Sequence, residues 1–171
     1  MRRRSSPCGI VVYALIALCC GAGTATGTIL HVPDPYPQIQ MAINAAVDGD
    51  TVLVADGIYN ENISYLDKNI TVASHYLTTE DSTHIENTEI RPAIAGFPLV
   101  SITGGQSRHA LLCGFTINGG MPPQGSGVYC VETDPTIAHN RILLNNVEAN
   151  GGGIYVDRGG PVIRHNLIAD N

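Results

Sequence analysis

Two histidines, His139 and His165, stand 26 residues apart, and so do two tyrosines, Tyr129 and Tyr155. Asp157 and Arg158 follow the second tyrosine, and Glu132 holds the place equivalent to Arg158 one interval earlier. Imidazoles at a fixed interval suit either metal ligation and general-base chemistry or mere occupancy of a turn. A zinc site needs more than two ligands, and no convincing third one accompanies the pair. His139 and His165 are therefore metal candidates without a partner; the expectation is a turn position and no cofactor. Flat tyrosine rings on an exposed sheet suit stacking against sugar rings, or only packing across neighbouring strands. Tyr129, Tyr155, Asp157 and Arg158 are accordingly the carbohydrate-contact candidates. Glu132 and Arg158 should form a surface ion pair worth about 0–1 kcal/mol.

The interval belongs to a repeat. Gly125–Asn145 laid over Gly151–Asn171 needs no gap and matches at nine of 21 positions. A looser third copy, Leu112-x-x-Phe115-x-Ile117-x-x-Gly120, matches Ile137-x-x-Asn140-x-Ile142-x-x-Asn145. Short runs rich in Val and Ile, broken by Gly, Asn and Pro, read as strands of three to five residues. Alternation puts Ile154 and Val156 on one face with Val128 and Cys130, and Tyr155 and Asp157 on the other. Three short strands per unit make one coil of a parallel β-helix, with coils about 4.8 Å apart. Asn140 and Asn166 fall where the chain bends. Asn tolerates a left-handed backbone and bonds to nearby backbone groups, so they form a structural turn ladder, as do Asn145 and Asn171.

Such a stack needs a cover at its start, because an unpaired edge strand invites association. In YPQIQMAINAAVDGD, Ile39, Ile43, Ala46 and Val47 share one helical face, with Pro37 suited to the first turn and Gly49 to the residue after the end. The expected organisation is a leader over 1–27, an N-terminal strand and capping α-helix over 28–50, and β-helix coils over 51–171. Expected strands are Thr51–Ala55, roughly Glu61–Tyr65, Asn69–Ala73, Glu89–Arg91 and Leu99–Ile102. Ser74–Asn87 carries no periodicity and reads as a protruding loop.

Arg2, Arg3 and Arg4, an apolar run from Ile10 to Cys20 and a small-residue exit at Gly21–Gly27 have the form of a secretory signal peptide. The run is too short to span a bilayer, and no other segment is apolar enough to do so. Without the leader, six basic residues face fifteen acids, a net charge of −9. That disfavours nucleic acid and anionic lipid as partners. Cys113 and Cys130 remain, on different sides of a coil, and are expected to be unpaired, with Cys130 in the core. Of the sequons, Asn62-Ile63-Ser64 and Asn69-Ile70-Thr71 matter only in a glycosylating host.

IQMAINAAVDGDTVLVADGIYNENI with KNITVAS, then GFTINGG, GVYCVETDPTIAHNRILLNN and GGGIYVDRGGPVIRHNLIADN, resembles the amino-terminal region of right-handed parallel β-helix proteins of the pectin lyase-like superfamily. The resemblance implies the fold and export to the cell surface or beyond. It leaves activity open, because one fold hosts many functions. The sets that the superfamily's esterases, hydrolases and lyases use are not visible here: paired aspartates with glutamines and an arginine, an Asn-Thr-Asp run followed by Asp-Asp, or a Trp-Ile-Asp-His strand with an acidic triad. Two readings follow. One is an exported structural or surface scaffold contacting a polysaccharide or cell-surface glycan. The other is the entry region of a polysaccharide-active enzyme whose catalytic coils lie elsewhere. A coil ending at Asn171 would expose Ile163 and Ile168, so the expectation is that these coils are the amino-terminal piece of a longer β-helix, truncated at Asn171, or that another copy or chain covers that face, with self-association through it if the chain ends there.

Overall fold

The computed structural model describes residues 27–121, 127–147 and 150–171. The expected leader lies outside them, except for Gly27. Among the described residues fifteen short strands form three sheets in which every pairing is parallel. The first sheet holds, in order, β1 (Ile29–Val32), β2 (Thr51–Val54), β5 (Thr71–Ser74), β8 (Leu111–Cys113), β11 (Thr136–Ala138) and β14 (Val162–Arg164). The second holds β3 (Gly57–Asn60), β6 (Thr88–Arg91), β9 (Thr116–Asn118), β12 (Arg141–Leu143) and β15 (Leu167–Ala169). The third holds β4 (Ile63–Ser64), β7 (Val100–Thr103), β10 (Val128–Val131) and β13 (Ile154–Asp157). From β2 onward the chain visits the three sheets in turn, so each circuit adds one strand to each sheet.

Registers follow the repeat. Tyr129 pairs with Tyr155 and Ile137 with Ile163, an offset of 26, while Leu112 pairs with Ile137 and Ile117 with Ile142, an offset of 25. Columns of inward side chains result: Val52, Val72, Leu112 and Ile137 in the first sheet, and Ile90, Ile117 and Ile142 in the second, all 0% exposed. Burying each such side chain stabilises by about 1.5–3 kcal/mol. In the last described circuit the ends of these columns are open, with Ile163 43% and Ile168 46% exposed, and so is Val156 of the third sheet at 39%.

The helix over the first circuit runs Ile39–Ala45 (α1), with Ile39, Ala42 and Ile43 buried. Val47, expected on the same face, is 65% exposed because it lies past the helix end. The N-cap Gln38 makes no side-chain cap. Instead the buried carboxylate of Glu61 accepts the N–H groups of Ile39 and Gln40, both at 2.9 Å. The Gln40 carboxamide accepts from Ser64 N at 2.7 Å and donates to Ser64 O at 3.2 Å, pairing with the edge of β4 as a strand would. At the other end Lys68 Nζ donates to the carbonyls of Ile43 and Asn44, which a helix C-terminus leaves without partners.

Two expected elements differ and one strand is additional. The strand near Glu61–Tyr65 is only Ile63–Ser64, as Glu61 is committed to the helix N-terminus. Gly57–Asn60 is an additional strand. Ser74–Asn87 is not a plain loop: it contains α2 (Tyr76–Thr79) and α3 (Thr83–Asn87). Each is held by local bonds, including Asp81 Oδ1 accepting from Thr83 N and Oγ1, and each is too short for a 3.6-residue period to register. Among the described residues no helix is long and apolar enough to cross a membrane.

Candidate functional site

Strand alternation turns Val128 and Cys130 inward and Tyr129 outward. Register then makes a column of Ser101, Tyr129 and Tyr155 on the outer face of the third sheet, and Ser64 continues it. The two tyrosine rings lie face to face, with centroids 5.2 Å apart and planes 7° apart. Each ring therefore covers one face of the other. On the other side the register neighbour of Tyr129 is the small side chain of Ser101, so the ring stack does not continue in that direction. Arg158 pairs with Glu132 at 2.6 Å and Asp157 at 3.3 Å. All three are well exposed, so these pairs add little to stability. The structure thus brings the four carbohydrate-contact candidates to two neighbouring strands of one sheet, β10 and β13, and the residue just past β13, with the arginine already engaged by two carboxylates.

His139 and His165 stand elsewhere, at the bend from the first sheet to the second. Their φ angles are 56° and 54°, and Gly114 at the equivalent place has φ 83°. The left-handed residue of the bend is thus the one before the asparagine, which corrects the expected conformation of Asn140 and Asn166. Histidine is among the residues enriched in that conformation. The asparagines bond across the bend. Asn140 Oδ1 accepts from Phe115 N at 3.0 Å, and Asn166 Oδ1 accepts from Asn140 N and Nδ2 at 2.9 and 3.1 Å. Gly120, Asn145 and Asn171 repeat this at the end of the second sheet, where Asn145 Nδ2 reaches Asn171 Oδ1 at 3.0 Å.

Beside the histidines a groove of about 380 Å³ runs between α2 and the first sheet, lined among others by Tyr76, Glu80, Cys113, Ala138, His139 and Arg164. Tyr76 Oη and His139 Nδ1 share a 3.0 Å hydrogen bond. Burial lowers the pKa of His139, the neighbouring His165 and Arg164 lower it further, and Glu80 opposes them. The thiol on the groove floor, Cys113, is pushed up to about 11 by burial, and Cys130 to about 12. Both are free and buried, on different sheets, so neither is an activated nucleophile at neutral pH. Sequence reasoning placed neither Tyr76, Glu80 nor Arg164 at this bend. The bond from Tyr76 to His139 spans 63 residues, and no local pattern announces it.

A second concavity, of about 510 Å³, is lined by Asp48, Gly49, Asn69, Thr71, Ser107 and His109. Its polar groups satisfy one another: Asn69 Oδ1 accepts from Ser107 N and Oγ, and Asp48 Oδ1 from Asn69 N. Ser107 Oγ also lies 3.1 Å from His109 Nδ1. Asn62, in the first sequon, is bonded to four backbone groups of the loop 93–98. Among the described residues no group of three or more His, Cys, Asp or Glu side chains could hold a metal ion. No protein-family model, no curated protein and no solved structure matches the chain.

Proposed function

We propose that the chain is an exported right-handed parallel β-helix repeat domain of the pectin lyase-like kind, serving as a structural or surface scaffold that contacts carbohydrate. The observation that carries the carbohydrate contact is the Tyr129–Tyr155 stack on the outer face of a continuous sheet. Rings preset by mutual stacking lose little freedom when a ligand arrives. A pyranose laid over Ser101 would stack on the side of Tyr129 away from Tyr155, with its hydroxyls toward Ser64 and Ser101. Export rests on the basic, apolar and small-residue order of the first 27 residues.

Affinity electrophoresis through gels containing a neutral or an acidic polysaccharide tests this. The expected result is retardation that persists at raised salt and disappears in the Tyr129→Ala/Tyr155→Ala double variant. Equal retardation of a folded double variant would remove the tyrosine contact. The mass of the exported product should correspond to a chain beginning after Ala25 or Gly27; a product retaining Met1 would remove the leader.

A further inference from the structure

The outer face of the first sheet combines small side chains with opposed charges. Leu112, Ile137 and Ile163 fill the inner column, so alternation turns Leu111, Cys113, Ala138 and Arg164 outward. Register stacks Cys113, Ala138 and Arg164 in one line across the strands. The two small side chains make a shallow floor, and the long arginine stands at one end of it.

α2 supplies the facing wall, and Tyr76 holds it in place. A Cβ at Gly114 would be 3.0 Å from the Cβ of Tyr76, so Tyr76 takes up the space that a side chain at 114 would fill. Its hydroxyl shares the 3.0 Å bond with His139 Nδ1. Farther along, α3 is tied by His84 Nδ1 to Asp56 Oδ1 at 2.6 Å and by Thr116 Oγ1 donating to Ile85 O at 2.7 Å. From this wall Leu77 and Glu80 border the groove of about 380 Å³. Arg164 borders it from the sheet, yet no ion pair joins it to Glu80, and among the described residues neither has another. Arg91, Arg141 and Arg158, by contrast, are each engaged by a carboxylate.

We propose that this groove binds a small zwitterion, a free α-amino acid with an apolar side chain, held by its carboxylate on Arg164 and its ammonium on Glu80. The two opposed charges select the class. A plain carboxylate on Arg164 would face Glu80 across the groove, and a plain amine on Glu80 would face Arg164. Only a ligand carrying both signs meets each wall with its complement. The guanidinium offers parallel N–H donors that match a carboxylate. Leu77, Leu111 and Ala138 give the ligand's side chain apolar surface to cover, and the volume lies in the range of small-molecule sites. The site is separate from the tyrosine stack, which lies on the third sheet, and stands or falls independently of it.

Titrating L-leucine into the folded chain and following the methyl resonances of Ala138, Leu77 and Leu111 tests this. Two analogues complete the set: 4-methylpentanoate, which lacks the ammonium, and 3-methylbutylamine, which lacks the carboxylate. The expected result is saturable shifts with leucine and about tenfold weaker binding of each analogue. Arg164→Gln and Glu80→Gln should each weaken leucine binding by about tenfold. Both residues are exposed, so thermal unfolding of these variants should match the parent. Tyr129→Ala should bind leucine unchanged. Absence of saturable shifts with millimolar leucine, binding of either analogue as tight as leucine's, or undiminished binding by either glutamine variant would overturn the proposal.

Discussion

Replacing Asn140 with alanine removes the centre of the first asparagine ladder. The side chain is 1% exposed. Its Oδ1 is a partner for Phe115 N, and its Nδ2 lies within bonding distance of Leu112 O, Ala138 O and Asn166 Oδ1. Alanine leaves the buried Phe115 N–H without this acceptor, which costs about 1–3 kcal/mol. The lost donor contacts to buried carbonyls add about 1 kcal/mol. The expected destabilisation is thus about 2–4 kcal/mol. Asn166 makes the same bonds one circuit later, but it is only half-buried and its contact to Arg164 O is exposed. Water can replace part of what Asn166→Ala removes, so about 1–2 kcal/mol is expected there. Urea unfolding followed by circular dichroism measures both, and the slope with denaturant should not change. The reasoning fails if Asn140→Ala costs under 1 kcal/mol, or if Asn166→Ala costs as much.

Further outcomes follow from the same geometry. Gly114→Ala adds a Cβ into Ser74 and Tyr76 at a φ of 83°, and should destabilise by about 2–3 kcal/mol while loosening α2 in hydrogen exchange. Glu61→Ala should cost about 1–3 kcal/mol in thermal unfolding, because the first two amides of α1 lose a buried carboxylate acceptor. Cys113 and Cys130 should resist alkylation at pH 8 in the folded chain and react fully in denaturant. Their folded pKa values, about 11 and about 12, exceed the ordinary 9.0. Stability should therefore be intact below pH 9 and fall above it, by up to about 1.4 kcal/mol per pH unit per thiol. Tyr65, buried and also raised, adds to the loss above pH 10. A flat stability curve from pH 9 to 11 would contradict this.

What could be read from the sequence was whatever repeats locally. An interval of 26 residues fixed which residues share a column, so the pairings Tyr129–Tyr155, Glu132–Arg158 and Asn140–Asn166 needed no structure to be named. Inward Val and Ile positions likewise announced themselves by alternation. Single events between distant segments left no such trace. Glu61 caps a helix 21 residues away, Tyr76 fills the space over Gly114, and Gln40 completes the edge of β4. Each depends on which surfaces the folded chain brings together. Asn140 shows a subtler miss: its role at the bend followed from residue type, yet the left-handed conformation passed to His139. There the backbone strain is carried by the preceding residue, which leaves the carboxamide free to reach the neighbouring circuits.

The carbohydrate contact is tested most directly by titrating neutral oligosaccharides into the folded chain and following side-chain resonances. The account predicts saturable shifts centred on Tyr129, Ser101 and Tyr155, with Tyr76 and Tyr65 unmoved, and their loss in Tyr129→Ala. Saturable binding that leaves the Tyr129 ring unperturbed, or no binding by neutral or acidic sugars, would contradict it.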